Sequence, residues 1–173
     1  MKKLFFLTLA GALTVAAQAP DLKTLSGGAK ALQAQTKRAI IAAAEKMPEA
    51  EYGFAPTDGV RTFGKLVGHV ADAQYLFCSA ASGQTNPALG IEKSKTTKTE
   101  LVEALKTAFG YCDKALESLT DANAGEAVKF FGGERTRLNV YSFSAMHNYE
   151  HYGNMVTYMR IKGLVPPTSE PRK

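Results

Sequence analysis

The chain has 173 residues, a formal net charge of +5, three histidines and two cysteines, and 45% of its residues are hydrophobic. This length fits one ordinary domain with its own hydrophobic core. The positive charge is mild and dispersed, with no block of lysines and arginines and no alternation of basic and aromatic residues. Nucleic-acid binding is therefore disfavoured on electrostatic grounds.

The first nineteen residues have the three parts of a secretory signal peptide. A charged start and an apolar run over residues 4–15 precede a small-residue exit at residues 16–19. Cleavage is expected after Ala17 or Ala19. No later stretch approaches the roughly 18 apolar residues of a membrane-spanning helix. The sequence therefore predicts a mature chain without a membrane span that is secreted or periplasmic.

The first two of four predicted helices follow directly. Amphipathic periodicity predicts the first, which ends before Pro48, and Thr62 and Gly83 are the expected N-cap and C-cap of the second. The stripe expected to be buried on the first helix is Leu25, Ala29, Leu32, Thr36, Ile40, Ala43 and Met47. The stripe expected on the second is Leu66, His69, Ala73, Leu76 and Ala80.

The other two helices flank a segment without helical period. Thr97-Lys98-Thr99-Glu100 is a capping box that opens the third helix. The last helix is expected from about Asn139 to Lys162, with Gly163 as its cap. Between them, residues 128–137 predict a short hairpin around Gly132-Gly133, with a plain loop as the alternative.

Four helices of this length predict an all-α four-helix bundle. The expected division is a signal peptide over residues 1–19, the bundle domain over residues 20–167 and a polar, loose tail over residues 168–173. Cys78 and Cys112 fall about five residues from one helix end and about fifteen from the next helix start. In a simple antiparallel pair these positions differ by roughly 15 Å in height, which favours two buried free thiols over a disulfide.

The three histidines are the strongest chemical signal in the chain. His147 and His151 are four residues apart and project from one face of the last helix, on the stripe expected to be buried. His69 replaces an apolar residue on the buried stripe of the second helix. A lone histidine in such a place is usually a core residue bonded to a carbonyl. Burying three without partners is costly, so the set predicts a metal site with three protein ligands and an open position.

Two polar neighbours of these histidines are candidates for a role in the site. Residues 147–151 spell H-x-x-E-H, an inverted zinc-protease signature in which Glu150 is the general base. That class needs an acidic ligand far downstream, and Glu170 in the proline-rich tail is the one acid that follows His151, so a protease is not expected. Glu150 remains a candidate base at the edge of a pocket, with a plain surface carboxylate as the alternative. Asn154, one turn further on, either orients a ligand or is a polar residue in the helix seam.

Residues 147–169 resemble the C-terminal signature of the DinB-like (DinB/YfiT) family. Residues 61–70 resemble that family's second-helix motif, in which a serine or threonine opens the helix and a histidine follows about seven residues later. The resemblance implies a four-helix bundle in which His69, His147 and His151 hold a divalent transition metal, zinc or nickel first and iron or manganese next. It also implies that a homodimer is an expected state.

Characterised members of the family include thiol S-transferases and thiol-dependent isomerases that use low-molecular-weight thiols. Because such thiols are scarce outside the cell membrane, the expected export weakens that activity here. The sequence therefore predicts an exported metal-dependent enzyme acting on a small-molecule substrate, with hydrolysis favoured. Thiol transfer, and a non-catalytic metal-binding or stress-related protein, are the alternatives.

Overall fold

A computed structural model describes residues 19–171 of the chain. The expected signal peptide therefore lies outside the described residues, apart from its last position. Five α-helices and one hairpin follow in chain order: α1 Leu25–Lys46, α2 Phe63–Ser82, α3 Ile91–Ser94, α4 Lys98–Glu117, β1 Ala127–Phe130, β2 Gly133–Thr136 and α5 Arg137–Ile161. Two single-turn 3-10 helices, Glu49–Glu51 and Pro167–Ser169, lie in the loop after α1 and in the segment after α5. None of the described helices combines the length and the hydropathy that a membrane crossing requires.

Local signals fixed most helix ends. The side chain of Thr62 accepts a hydrogen bond from the first turn of α2, and Thr97 and Glu100 form the expected capping box of α4. Gly83 closes α2 in the left-handed conformation, with a φ of 73°. The last helix begins two residues earlier than predicted, because Thr136 at the end of β2 also serves as its N-cap.

The predicted hairpin is confirmed. β1 and β2 pair antiparallel, with Phe130 opposite Gly133 at the closed end. The two-residue turn between them is Phe131-Gly132, one position earlier than expected, and both residues have positive φ, 48° and 77°. This geometry is that of a type I′ turn, which matches the twist of the two strands.

The four long helices form two pairs that run in opposite directions. The connection after α2 folds back along it, so the backbone amides of Ile91 and Glu92 donate to the carboxylate of Asp72 in mid-helix. Leu101, near the start of α4, then lies against Gly64 near the start of α2. α2 and α4 are therefore parallel. α1 and α5 run the other way. Each begins in the hydrophobic cluster at the C-terminal ends of α2 and α4 and ends in the cluster at their N-terminal ends.

This direction overturns the expectation of free thiols. Cys78 and Cys112 form a disulfide, with their Cα atoms 5.2 Å apart. The predicted height difference assumed antiparallel neighbours joined by a simple turn. Because the connection of residues 83–97 returns along α2, α4 begins beside the start of α2 rather than beside its end. Cys78 and Cys112 each lie about fourteen or fifteen residues into their helices, so the two parallel helices bring them to the same height.

A closed ring of amides crosses the buried centre of the bundle. Gln33 of α1 donates to Gln74 of α2 at 2.6 Å, and Gln74 donates to Asn148 of α5 at 2.7 Å. Asn148 completes the ring by donating to Gln33 at 3.4 Å, and it also donates to Thr36 at 3.2 Å. Gln33 further contacts the sulfur of Cys112 in α4 at 3.2 Å. This network joins all four long helices.

The expected apolar stripes are correct only in part. Leu25, Leu32 and Leu76 are exposed, with 59%, 45% and 37% of their surface accessible. The buried face of α1 is shifted toward Gln33, which periodicity of apolar residues could not select. The tail also differs from the loose segment expected, because Thr168 hydrogen-bonds to the hydroxyl of Tyr152 at 2.8 Å.

Candidate metal centre

The three histidines predicted as ligands come together. The Nε2 atom of His147 lies 3.2 Å from Nε2 of His69 and 3.0 Å from Nε2 of His151. One ring nitrogen from each residue falls within 4.8 Å of the other two. α2 supplies one imidazole and two successive turns of α5 supply the others.

The geometry and the chemistry of this cluster fit a divalent ion. Nitrogens bound to one tetrahedral zinc at about 2.0–2.1 Å lie about 3.3 Å from each other. The observed separations of 3.0 and 3.2 Å are close to that value. Neutral imidazole nitrogens are also good ligands for zinc, nickel and iron. These residues could therefore hold such an ion with little movement.

The electrostatic environment keeps the imidazoles neutral. Burial, together with the neighbouring His151 and His69, lowers the pKa of His147 to about 3. Burial and His69 lower the pKa of His151 to about 4. The pKa of His69 is lowered by burial and by the nearby Arg61. At neutral pH all three rings are unprotonated, which is the form that binds a cation.

Glu92, on the short helix α3, is the functional residue that sequence reasoning missed. Its carboxylate lies 3.2 Å from Nδ1 of His69, while Arg61 donates to its other oxygen at 2.9 Å. Burial alone would raise the pKa of Glu92, but the hydrogen bond and charge of Arg61 and the contact with His69 lower it. Glu92 therefore fixes the ring of His69 with Nε2 toward the other histidines, an arrangement typical of ligating histidines.

A glycine places Glu92 against the site. A Cβ on Gly68 would lie 2.7 Å from the Cα of Glu92, so only a glycine there allows α3 to pack this closely on α2. The sequence offered no local signal for this contact, because Glu92 lies in a segment that reads as a polar connection.

The site is more open than the buried stripes predicted. His151 is 6% exposed, but His69 and His147 are only half-buried. His69 and His147 line a largely apolar cavity of about 430 Å³. Its wall also includes Ala73, Leu76, Phe77, Phe131 and Phe143. His151 lines a polar cavity of about 790 Å³ that contains Arg61, Lys65, Glu92 and Tyr158. The three nitrogens thus lie at the junction of the two cavities.

The other two candidates of α5 lie beside this cluster. Glu150 and Asn154 are both exposed, and both line the polar cavity with His151. Neither belongs to the group of close ligand atoms among the described residues. Both therefore lie at the cavity wall and outside the histidine cluster.

Comparisons with known proteins agree with this architecture. The sequence model of the DinB superfamily matches residues 33–155 of this chain, which include all three histidines and Glu92. No curated protein has a sequence that matches this chain.

Three solved structures share the fold. A DinB-like protein from Bacillus cereus is 17% identical, with a TM-score of 0.74 over 85% of this chain and 98% of that one. A DinB-like protein from Bacillus subtilis is 21% identical, with a TM-score of 0.68 over 84% and 99%. The mycothiol-dependent maleylpyruvate isomerase is 14% identical, with a TM-score of 0.63 over 75% and 60%. The chain belongs to the DinB superfamily.

Proposed function

We propose that the protein is a metal-dependent enzyme that acts on a small-molecule substrate. The observation that carries this proposal is the convergence of three neutral Nε2 atoms at the junction of two open cavities. A structural ion is normally enclosed by four protein ligands, whereas a catalytic one keeps a position open to the solvent. Three imidazoles that face two cavities leave such a position.

Each residue of the site has a defined task in this proposal. His69, His147 and His151 are the ligands, and Glu92 accepts a hydrogen bond from Nδ1 of His69 and holds its ring in place. Arg61 offsets the charge of Glu92. The chemistry that a divalent ion supplies here is Lewis acidity, which polarises a substrate oxygen or lowers the pKa of water.

Hydrolysis is the reaction that we favour. Glu150 lines the cavity that His151 also lines, and an exposed carboxylate there can accept a proton from water at the substrate. The same cavity is also lined by Lys65, whose amino group donates to the backbone oxygen of Glu92 at 3.0 Å and supplies positive charge near an acidic part of a substrate.

A model ester tests the enzymatic proposal. We expect the zinc-loaded protein to hydrolyse p-nitrophenyl acetate faster than free zinc at the same concentration. His147→Ala should abolish this excess rate, and Glu150→Gln should lower it at least tenfold if Glu150 is the base. Glu103→Gln, at an exposed glutamate of α4, is the matched control. A rate unaffected by His147→Ala would contradict the proposal.

Thiol transfer is a second candidate, since a neighbouring fold is that of an isomerase described as mycothiol-dependent. Low-molecular-weight thiolates bind zinc and nickel well. Addition of a thiol such as cysteine or glutathione with an electrophilic acceptor separates the two reactions. Consumption of thiol that requires His147 would favour transfer, and ester hydrolysis without thiol would favour the hydrolase.

A protein that holds an ion without turnover is the remaining alternative. It predicts full metal loading by the three histidines and no catalysis with either kind of substrate. Metal content and turnover therefore have to be measured on the same preparation.

We also propose that the mature chain is exported. The disulfide between Cys78 and Cys112 supports this, because such bonds persist in oxidising compartments and are rare in the cytosol. The composition of the first nineteen residues supports it as well. The intact mass of protein recovered from the periplasmic or culture fraction should correspond to a chain that begins at residue 18 or 20. A full-length mass would contradict export by cleavage.

A further inference from the structure

The apolar cavity beside His69 and His147 is lined by two residues with an unfavourable backbone conformation. Among the described residues, Ala88 and Phe131 are the two non-glycine residues with positive φ, each at 48°. Both line this one cavity, although they lie in different loops. Residues with a side chain rarely adopt this conformation, and where they do they concentrate at functional sites.

Phe131 is the more informative of the two. It occupies the first turn position of the hairpin, where asparagine, aspartate or glycine is the usual choice. Its ring is 68% exposed, so burial in the core does not explain the residue. A bulky and largely exposed aromatic side chain thus lines the cavity against the backbone preference, with its ring packed on that of Phe130 at a centroid distance of 4.2 Å.

Three phenylalanine rings line the cavity, and their ring planes are nearly perpendicular to one another. The centroid of Phe77 lies 5.3 Å from that of Phe143 and 6.2 Å from that of Phe131, each with an interplanar angle of 87°. Phe131 and Phe143 are 6.0 Å apart at 79°. Such edge-to-face spacing is the arrangement that aromatic rings prefer, and it presents both ring edges and ring faces to an additional ring.

The cavity leads directly to the candidate metal centre. The ring of Phe77 contacts that of His147, with centroids 5.0 Å apart. The one carboxylate in its lining, that of Asp72, already accepts from the amides of Ile91 and Glu92 at 2.8 and 2.9 Å. The cavity wall therefore offers little free polarity to a ligand, apart from the histidines and Asn86.

We propose that this cavity is a specificity subsite for an aromatic ring of the substrate, and that Phe131 closes it from the hairpin. The inference rests on the proposed function, because the ring would sit beside the group that reacts at the histidine cluster. The volume of about 430 Å³ is ample for one substituted ring. Phe131 acts here as a positioning residue for the substrate.

A pair of hydroxamates tests the subsite on the zinc-loaded mature protein. Acetohydroxamate and benzohydroxamate carry the same metal-binding group, and only the second carries a ring. We expect calorimetric titration to give about tenfold tighter binding of benzohydroxamate, the effect of burying one ring. Phe131→Asn, which suits the left-handed turn, should remove most of that preference and leave acetohydroxamate binding unchanged.

The control is Ile161→Asn, at an apolar side chain of α5 that is 55% exposed and outside the cavity. It should leave both affinities unchanged. Equal affinity for the two hydroxamates in the unaltered protein, or the same preference in Phe131→Asn, would overturn the subsite. So would a dimer that Phe131→Asn dissociates without changing the preference, because the exposed ring would then belong to an interface between copies.

A metal-free experiment separates failure of the subsite from failure of the proposed function. If the protein takes up no zinc, the proposed function is contradicted and neither hydroxamate reports on the cavity. The ¹⁹F resonance of 4-fluorobenzyl alcohol, added to metal-free protein, should still broaden, and Phe131→Asn should abolish the broadening. No broadening with the unaltered protein would overturn the subsite.

Discussion

Two polar clusters lie side by side in the bundle, and α5 contributes adjacent residues to them. Asn148 belongs to the amide ring with Gln33 and Gln74, where each side chain both donates and accepts within the protein. His147 belongs to the imidazole cluster with His69 and His151. There, Nδ1 of His147 and Nδ1 of His151 are buried without a hydrogen-bond partner among residues 19–171.

The amide ring is satisfied by hydrogen bonds within the protein, as expected of polar groups that stabilise the fold, whereas the imidazole cluster is not, as expected of groups that bind a ligand. Buried polar groups normally find partners, and a closed network fixes one way of packing the helices. In the imidazole cluster only His69 has a partner in the fold, the carboxylate of Glu92, and the three Nε2 atoms converge on a point that a ligand can occupy. We therefore expect substitutions in the amide ring to change stability, and substitutions in the imidazole cluster to change metal binding.

The largest stability effect is expected at the disulfide, whose sulfur atom adjoins the amide ring. The Cys78→Ala/Cys112→Ala variant should lose about 4 kcal/mol of unfolding free energy, as the loop-entropy relation gives for a separation of 34 residues. Urea denaturation measures this loss, and zinc uptake by the folded variant should be unchanged. A midpoint equal to that of the unaltered protein would show that the bond is not formed in solution.

The amide ring itself should be the next most sensitive element. Asn148→Ala leaves the donor of Gln74 and the acceptor of Gln33 without partners, and each unpaired group costs roughly 1–3 kcal/mol. We expect a loss of about 2–4 kcal/mol, measured by urea denaturation of the metal-free protein. Ser142→Ala, at an exposed position of the same helix, should change stability little. Similar values for both variants would mean that the ring does not hold the helices together.

Glu92→Gln should weaken metal binding without unfolding the protein. Replacing the carboxylate that orients His69 removes a charged acceptor, and such partners are worth about 10–100-fold in metal affinity. Competition with a chromophoric chelator gives the dissociation constant for zinc, and Glu103→Gln is again the matched control. An affinity equal to that of the control would show that Glu92 does not support the site.

The last expected effect is a pH dependence of stability that the imidazole cluster produces below pH 6.5. The lowered pKa values of His147 and His151, about 3 and about 4, keep these rings neutral in the folded state, whereas the unfolded chain protonates near 6.5. The stability of the neutral form is complete above pH 6.5 and is lost as the pH falls toward those values.

Between pH 6.5 and 5 we therefore expect the metal-free protein to lose roughly 2 kcal/mol per pH unit, about 1 kcal/mol for each of the two histidines. His151→Gln should flatten this slope, and Asn148→Ala should leave it unchanged, since amides do not titrate. Chemical denaturation at several pH values measures the slope. An equal slope in His151→Gln would contradict the assignment of the dependence to the cluster.

Much of the fold could be predicted from local sequence signals. The caps at Thr62, Thr97 and Gly83 and the i, i+4 spacing of His147 and His151 depend on residues within one or two turns of each other. Whether they act is therefore decided by short-range geometry. The shared DinB-like motifs then correctly joined His69 to that pair.

The features that the sequence did not predict depend on the path of one connection. Residues 83–97 fold back along α2, and this path sets the direction of α4, the pairing of Cys78 with Cys112 and the contact of Glu92 with His69. No periodicity within the segment encodes that path, because α3 is only four residues long. Long-range packing, including the close approach at Gly68, determines it instead.

The central claim is that the three histidines form a metal site, and metal analysis tests it most directly. The purified mature protein, reconstituted with zinc and dialysed, should retain about one equivalent per chain by mass spectrometry of the elements. His147→Ala should retain almost none, while Asn148→Ala, at the adjacent residue, should still bind zinc when folded. Less than about 0.2 equivalents of any transition metal in the unaltered protein, or equal content in His147→Ala, would contradict the claim.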